Sequence, residues 1–312
     1  MKHNVKITIL ILAMFLATQF IGLYVVNEYL PEKVVDGEKV TVSDVPSLPY
    51  GMETPQPEEQ SDYNQVFASV VLAFMIALGI LFLLMRYKAE IVLKIWFAFV
   101  VLIALGIFFN AILPENQYSS WFALIIALPL MFFKVFKRNI FVHNTTELLI
   151  YPGIAAVFVP ILNIWTIVAL LVVISIYDIW AVWHSGVMQK MAKFQMNKVK
   201  VFSGFFIPYL SKKMKNKIKK MKKPELKKLK KKGVRARVAI LGGGDVIFPI
   251  ITAGVVLKTL GFIPAILTIF GALLGLGYLF FFAKQQKYYP AMPFISTGLF
   301  LGMGIGYILT II

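Results

Sequence analysis

The chain has 312 residues, 59% of them hydrophobic, with a mean hydropathy of +0.78 and a formal net charge of +17. That apolar content excludes a soluble globule and points to a multi-spanning membrane protein. Cysteine is absent, which removes disulfides, thiol nucleophiles and cysteine-ligated metals together.

Met1–Lys6 is short and basic, and residues 7–26 form an apolar run long enough to span a bilayer. The run is too long for a usual signal-peptide core and lacks a small-x-small cleavage site, so it is expected to stay as a signal anchor. Residues 27–64 carry nine Asp/Glu against two Lys, with several Pro and Gly, and read as an exposed, partly irregular loop. Apolar segments follow at 65–85, 91–113, 118–136, 145–161, 163–182, 238–257, 261–283 and 289–311. Pro152 and Pro160 make the segment at 145–161 irregular, which neighbouring helices tolerate by satisfying the freed carbonyls.

Basic residues set the orientation. With the N-terminus inside, all but Lys33, Lys39 and Lys258 of the 32 Lys/Arg fall on the inner side, 19 of them between residues 183 and 237. Eight or ten spans would break this alternation. The expected fold is therefore an all-α membrane protein of nine transmembrane helices, N-terminus cytoplasmic and C-terminus outside. It divides into a six-helix part over 1–182, a basic cytoplasmic loop over 183–237 and a three-helix part over 238–312.

That distribution also accounts for the net charge without nucleic acid, and no stacking motif of a nucleic-acid module is visible. Within the basic loop, residues 201–210 are apolar but too short to cross a bilayer. Lys212–Lys232 alternates lysines with Met214, Ile218 and Met221 at helical spacing, suited to an anionic lipid surface. A solvated positive-inside loop is the plainer alternative.

Two aspartates interrupt the apolar segments. Asp178 lies in Ile174-Ser175-Ile176-Tyr177-Asp178, and Asp245 follows the glycine run Gly242-Gly243-Gly244. Asp36, Asp44 and Asp62 all fall in the outer loop. Glycines and a carboxylate are costly in a spanning helix, and intramembrane acids are functional by default. Counting from a seventh helix that starts near Val238, both carboxylates lie roughly 8–11 Å below the cytoplasmic surface, on consecutive antiparallel helices. The glycines let backbones, or a substrate strand, approach closely. Two carboxylates in one low-dielectric site share a proton, the state in which one activates water and the other protonates a leaving amine.

These residues resemble a known family. Tyr177-Asp178 is similar to the YD motif, and Gly242-Gly243-Gly244-Asp245 to the GxGD motif, of presenilin and signal peptide peptidase. Pro290-Ala291-Met292 resembles their PAL motif. The chain departs from the pattern in having Gly rather than Leu at x, Met292 in place of Leu, and an added Pro293. The resemblance implies an intramembrane aspartyl protease that cuts peptide bonds within or beside transmembrane helices of membrane-protein or signal-peptide substrates. Asp178 and Asp245 would be catalytic, and Tyr177, Gly242, Gly243, Gly244, Pro290, Ala291 and Met292 would bind substrate, with no metal and no cofactor. The charge bias favours the presenilin orientation over the inverted one, and the chain most resembles archaeal presenilin homologues. The cell membrane is the expected location, and a homo-oligomer is one open arrangement.

Other chemistries fit less well. No His-Glu-x-x-His or Gly-x-Ser-Gly occurs, and His3, His143 and His184 are scattered. His184 is expected at the membrane interface. Gly271, Gly275 and Gly277, with Gly302, Gly304 and Gly306, are expected in helix packing. A proton-coupled transporter or ion channel is the rival reading, weakened by the lack of an inverted repeat and by there being only two buried acids, both on adjacent helices. A membrane scaffold recruiting partners through the lysine loop is a third.

Overall fold

A computed structural model describes residues 5–35, 38–42, 45–53, 57, 59–137, 139–184, 194, 199, 201–209, 237–283 and 289–311. The described residues are dominated by nine long helices: α1 (Val5–Glu28), α2 (Gln60–Arg86), α3 (Glu90–Ile112), α4 (Ser119–Phe136), α5 (Ile140–Phe158), α6 (Ile164–Ile179), α7 (Gly243–Leu260), α8 (Phe262–Phe282) and α9 (Met292–Ile311). Eight are long and apolar enough to cross a membrane, α6 when counted with the turn that carries it to His184; α5, which carries a polar first half and Pro152, is the other.

Helix ends follow local chemistry. Asn139 caps α5 by accepting the Phe141 N–H at 2.9 Å. Asn163 caps α6 reciprocally: its Oδ1 accepts the Thr166 N–H, and its own N–H donates to Thr166 Oγ1, each at 2.9 Å. The α5–α6 turn at Pro160 is tied down by Lys258, whose Nζ donates to Pro160 O at 2.9 Å and to Leu162 O at 3.4 Å. A single lysine thus holds backbone carbonyls that proline and the turn leave unpaired.

Within the acidic loop of residues 27–64, β1 (Glu32–Val35) and β2 (Glu38–Thr41) pair as an antiparallel hairpin. One expectation needs correction: the seventh helix does not begin near Val238. Residues Arg237–Gly242 are instead a strand, β4, paired antiparallel with β3 (Gly204–Tyr209). The apolar stretch at 201–210 and the first part of the expected helix are therefore partners in a sheet. Alternation explains it: Phe205, Ile207, Ala239 and Leu241 are buried, every second residue of each strand. Lys134 lies buried in α4.

The core forms around α7, which packs against α1, α5, α6, α8 and α9. Small residues set the spacing. Gly254 of α7 faces Val159 and Val26, and Gly22 of α1 faces Ile250. Helices α8 and α9 meet along Gly271, Gly275, Gly298 and Gly302, where a β-carbon would strike the opposite backbone at 2.1–2.4 Å. Gly306 meets Pro264, whereas Gly277 and Gly304 face open space and take no part in the seam.

Candidate active site

The site forms where the end of α6 and the beginnings of α7 and α9 converge. Asp178 sits in the last turn of α6 and is 4% exposed. Its Oδ2 accepts the Met292 N–H at 3.0 Å, and the Ala291 N–H also donates to its carboxylate. The sequence around α9 explains why these two amides point at it. A helix start leaves its first N–H groups without intrahelical partners, and Pro290 and Pro293 have none to offer. Ala291 and Met292 remain, at the positive end of the helix dipole. The Pro-Ala-Met-Pro stretch is thus a carboxylate-binding helix start. A hydroxyl contact, Ser175 Oγ to Ser296 Oγ at 3.0 Å, holds α6 and α9 together one turn deeper.

Asp245 lies in the first turn of α7, not two turns into a longer helix as the start at Val238 implied. The depth count from Val238 fails for that reason, since a strand rises about 3.3 Å per residue against 1.5 Å in a helix. Gly242 ends β4 and caps α7, so strand passes into helix without a connecting loop. A carboxylate in this first turn is favoured by the helix dipole. α7 packs on both α6 and α9, which brings the two aspartate-bearing turns and the α9 start to one end of the bundle. Gln19 of α1 donates from Nε2 to Val246 O at 3.1 Å, holding the turn from the opposite side.

The glycine run is used unevenly. A β-carbon on Gly243 would lie 2.6 Å from Ser203 Oγ and 2.8 Å from Tyr151 Oη, so only glycine fits between them. Those two hydroxyls are themselves 3.3 Å apart. Gly244 is exposed and Gly242 faces the Asp245 side chain. Tyr177 is turned away toward α2, edge-on to Phe74 at 5.7 Å between ring centroids. Pro290 and Met292 are buried beside the site, and Ala291 is half-buried.

The sequence reading missed a polar group next to this site. Glu147 of α5 and Lys134 of α4 form an ion pair, each side chain about 1% exposed. Among the described residues the buried acids are therefore Asp178 and Glu147, with Asp245 half-buried. Glu147 follows the polar run His143-Asn144-Thr145-Thr146 and so does not stand out as an acid in an apolar stretch, as Asp178 and Asp245 do. His143, taken as scattered, lies one turn away from Glu147 and donates from Nε2 to Gly204 O at 2.8 Å. His184 is exposed at the end of a π-helical turn, Trp180–His184. Among the described residues no cluster of His, Asp and Glu could hold a metal ion.

A family profile described as signal-peptide peptidase, presenilin aspartyl protease matches residues 46–312. No curated protein sequence matches the chain. Among solved structures, one of a presenilin family intramembrane aspartate protease in space group C222 is similar, with a TM-score of 0.58 and 18% identity, covering 97% of this chain and 99% of that one. Another, in space group P2, gives a TM-score of 0.59 at 18% identity, covering 96% of both chains. At that identity the structures speak for the fold, and the profile speaks for the family. The profile takes in all of α2 to α9, with both aspartate-bearing turns and the α9 start, so the chain belongs to the signal-peptide peptidase and presenilin family and is an intramembrane aspartyl protease.

Proposed function

We propose that Asp178 and Asp245 are the catalytic pair of this protease. The observation that carries the reading is the bond from the Met292 N–H to Asp178 Oδ2, which ties two of the three sequence motifs together, while α7, which bears Asp245, packs on both of their helices. The pair shares one proton. The ionised carboxylate takes a proton from water, whose oxygen attacks the scissile carbonyl; the protonated one donates to the developing oxyanion and then to the leaving amine. Amides at the α9 start orient Asp178, with the Met292 N–H on its Oδ2.

Substrate is a transmembrane helix that must unwind locally before its carbonyl is reached. The unwound segment adds to the outer edge of β4, where its backbone groups regain the partners lost on unwinding. Support comes from the continuity of β4 with the Asp245 turn and from the exposed Gly244, which keeps side-chain bulk off that approach. Pro290, Ala291 and Met292 line the site from α9, and Tyr177 meets substrate only along the α2 side.

Nine spans with a cytoplasmic N-terminus complete the reading, supported by the charge bias. The anionic lipid surface proposed for Lys212–Lys232 concerns residues outside those described, and binding to anionic vesicles that salt releases would test it. For the pair itself, the test is cleavage of a helical membrane peptide by purified protein. Asp178→Asn and Asp245→Asn should each lower it by roughly 10²-fold or more while the protein inserts normally, and substantial turnover by either variant would remove the pair.

A further inference from the structure

Among the described residues, the two-stranded sheet has one closed edge and one open edge, and the closure is made by α5. In an antiparallel pair, backbone groups alternate between the partner strand and the outside. Phe206 points outward: its N–H donates to Asn144 Oδ1 and its carbonyl accepts from Asn144 Nδ2, both at 3.0 Å. One carboxamide thus makes both bonds that a neighbouring strand would make. Two residues earlier, Gly204 O accepts from His143 Nε2. Two residues later stands Pro208, which has no N–H. On β4, the residues opposite Phe206 and Pro208 are Ile240 and Val238, whose groups point the other way. Nothing among the described residues bonds to them.

The closure also answers a question of register. A slip of one residue would turn the buried faces of β3 and β4 outward, so packing forbids it. A slip of two keeps every side chain on its face; on β3 the buried Phe205, edge-on to Tyr151, opposes it, while the small and aliphatic residues of β4 oppose it only weakly. Asn144 and His143 grip β3 at fixed residues, and they are themselves fixed by their helix. The Lys134–Glu147 pair pins α5 to α4 one turn on, and His143 Nδ1 lies 3.5 Å from Lys134 Nζ.

We propose that Asn144 and His143 are positioning residues that set the register of the β3–β4 sheet, and through it which peptide bond of the substrate reaches the aspartates. The consequence for cleavage rests on the proposed addition of substrate to β4. The register itself does not, and the test separates the two.

The chain has no cysteine, so paired thiols can be introduced without background. Phe206→Cys with Ile240→Cys reports the native register, being directly opposite. Phe206→Cys with Val238→Cys reports a slip of two. With Asn144 intact, oxidation should join the first pair and leave the second largely unjoined. In the Asn144→Leu background the slipped pair should form roughly tenfold more, the loss of two ordinary hydrogen bonds. His143→Gln keeps an amide N–H for Gly204 O and should leave the ratio unchanged, whereas His143→Leu should raise it. A slipped pair that stays at its original level in Asn144→Leu protein, while the native pair still joins, overturns the proposal. Should Asn144→Leu join neither pair, Asn144→Asp replaces it; this keeps the acceptor for the Phe206 N–H, and an unchanged ratio there is equally fatal. Cleavage products of a helical peptide then test the consequence. Asn144→Leu should add products displaced by two residues, and an altered rate with unaltered sites would break the link to substrate while leaving the register result standing.

Discussion

Helices α2 and α7 make opposite use of apolarity. By hydropathy α2 is the most apolar of the candidate spans and α7 the least, yet no residue of α2 is buried and most of α7 is. In water the ranking would be reversed. In lipid, apolar side chains gain nothing by leaving the solvent, and helices associate through close backbone packing and polar contacts instead. Helix α7 has the means for both, with Gly243, Gly254, Thr252, Pro249 and Asp245; α2 has leucines, isoleucines and phenylalanines that the bilayer accommodates. Position in the bundle follows from the residues that lipid would not tolerate.

That contrast can be broken or sharpened by substitution, beginning where the effect is largest. Replacing either aspartate by asparagine removes an acid–base group, and cleavage of a helical membrane peptide should fall by roughly 10²–10⁴-fold. The variants should melt in detergent as the parent does. Activity of the parent should follow a bell against pH that reports the pair, not either residue alone.

Breaking the buried ion pair comes next. Lys134→Met strands the Glu147 charge and should cost about 3–5 kcal/mol in a thermal or denaturant melt. Adding Glu147→Leu should recover most of that loss, because the desolvated charge goes with it. A single substitution without effect would mean that water reaches Glu147.

Packing effects are smaller. Gly271→Val sets a side chain where Gly298 O stands 2.1 Å from an ideal β-carbon, and should destabilise by roughly 1–3 kcal/mol. Gly277→Val, facing open space on the same helix, is the control and should change little. At the far end of the scale, Leu72→Ala on α2, where Leu72 is 61% exposed, should shift stability by no more than about 0.5 kcal/mol. A large loss there would show α2 covered by protein and undo the comparison.

Legibility in the sequence followed the same division. Boundaries of the lipid-facing helices were readable because a spanning helix must satisfy its backbone within itself, so a long apolar run has one solution. Residues 238–242 were misread for a related reason. A short apolar stretch looks the same as the start of a buried helix or as a strand, and only its partner decides. Gly204 is that partner's first residue, with φ +135° and Leu241 O 2.3 Å from an ideal β-carbon, a conformation that favours glycine. The acid in α5 did not stand out, because it follows a polar run. Lys134 was ambiguous, since a lysine near a helix end ordinarily reaches out to the interface.

By itself, the sequence determined the membrane class, the helix positions, the charge asymmetry and the two aspartates with their flanking motifs. Each of these depends on composition or spacing within one segment, where the bilayer imposes the rule. Tertiary structure alone decided that Asp178 is held by the start of α9, that a sheet leads into Asp245, and that a carboxamide on α5 closes that sheet's edge. Those are pairings between segments far apart in the chain. A hydrogen-bonding group carries no mark of its partner's address; only the packed helices bring donor and acceptor within reach.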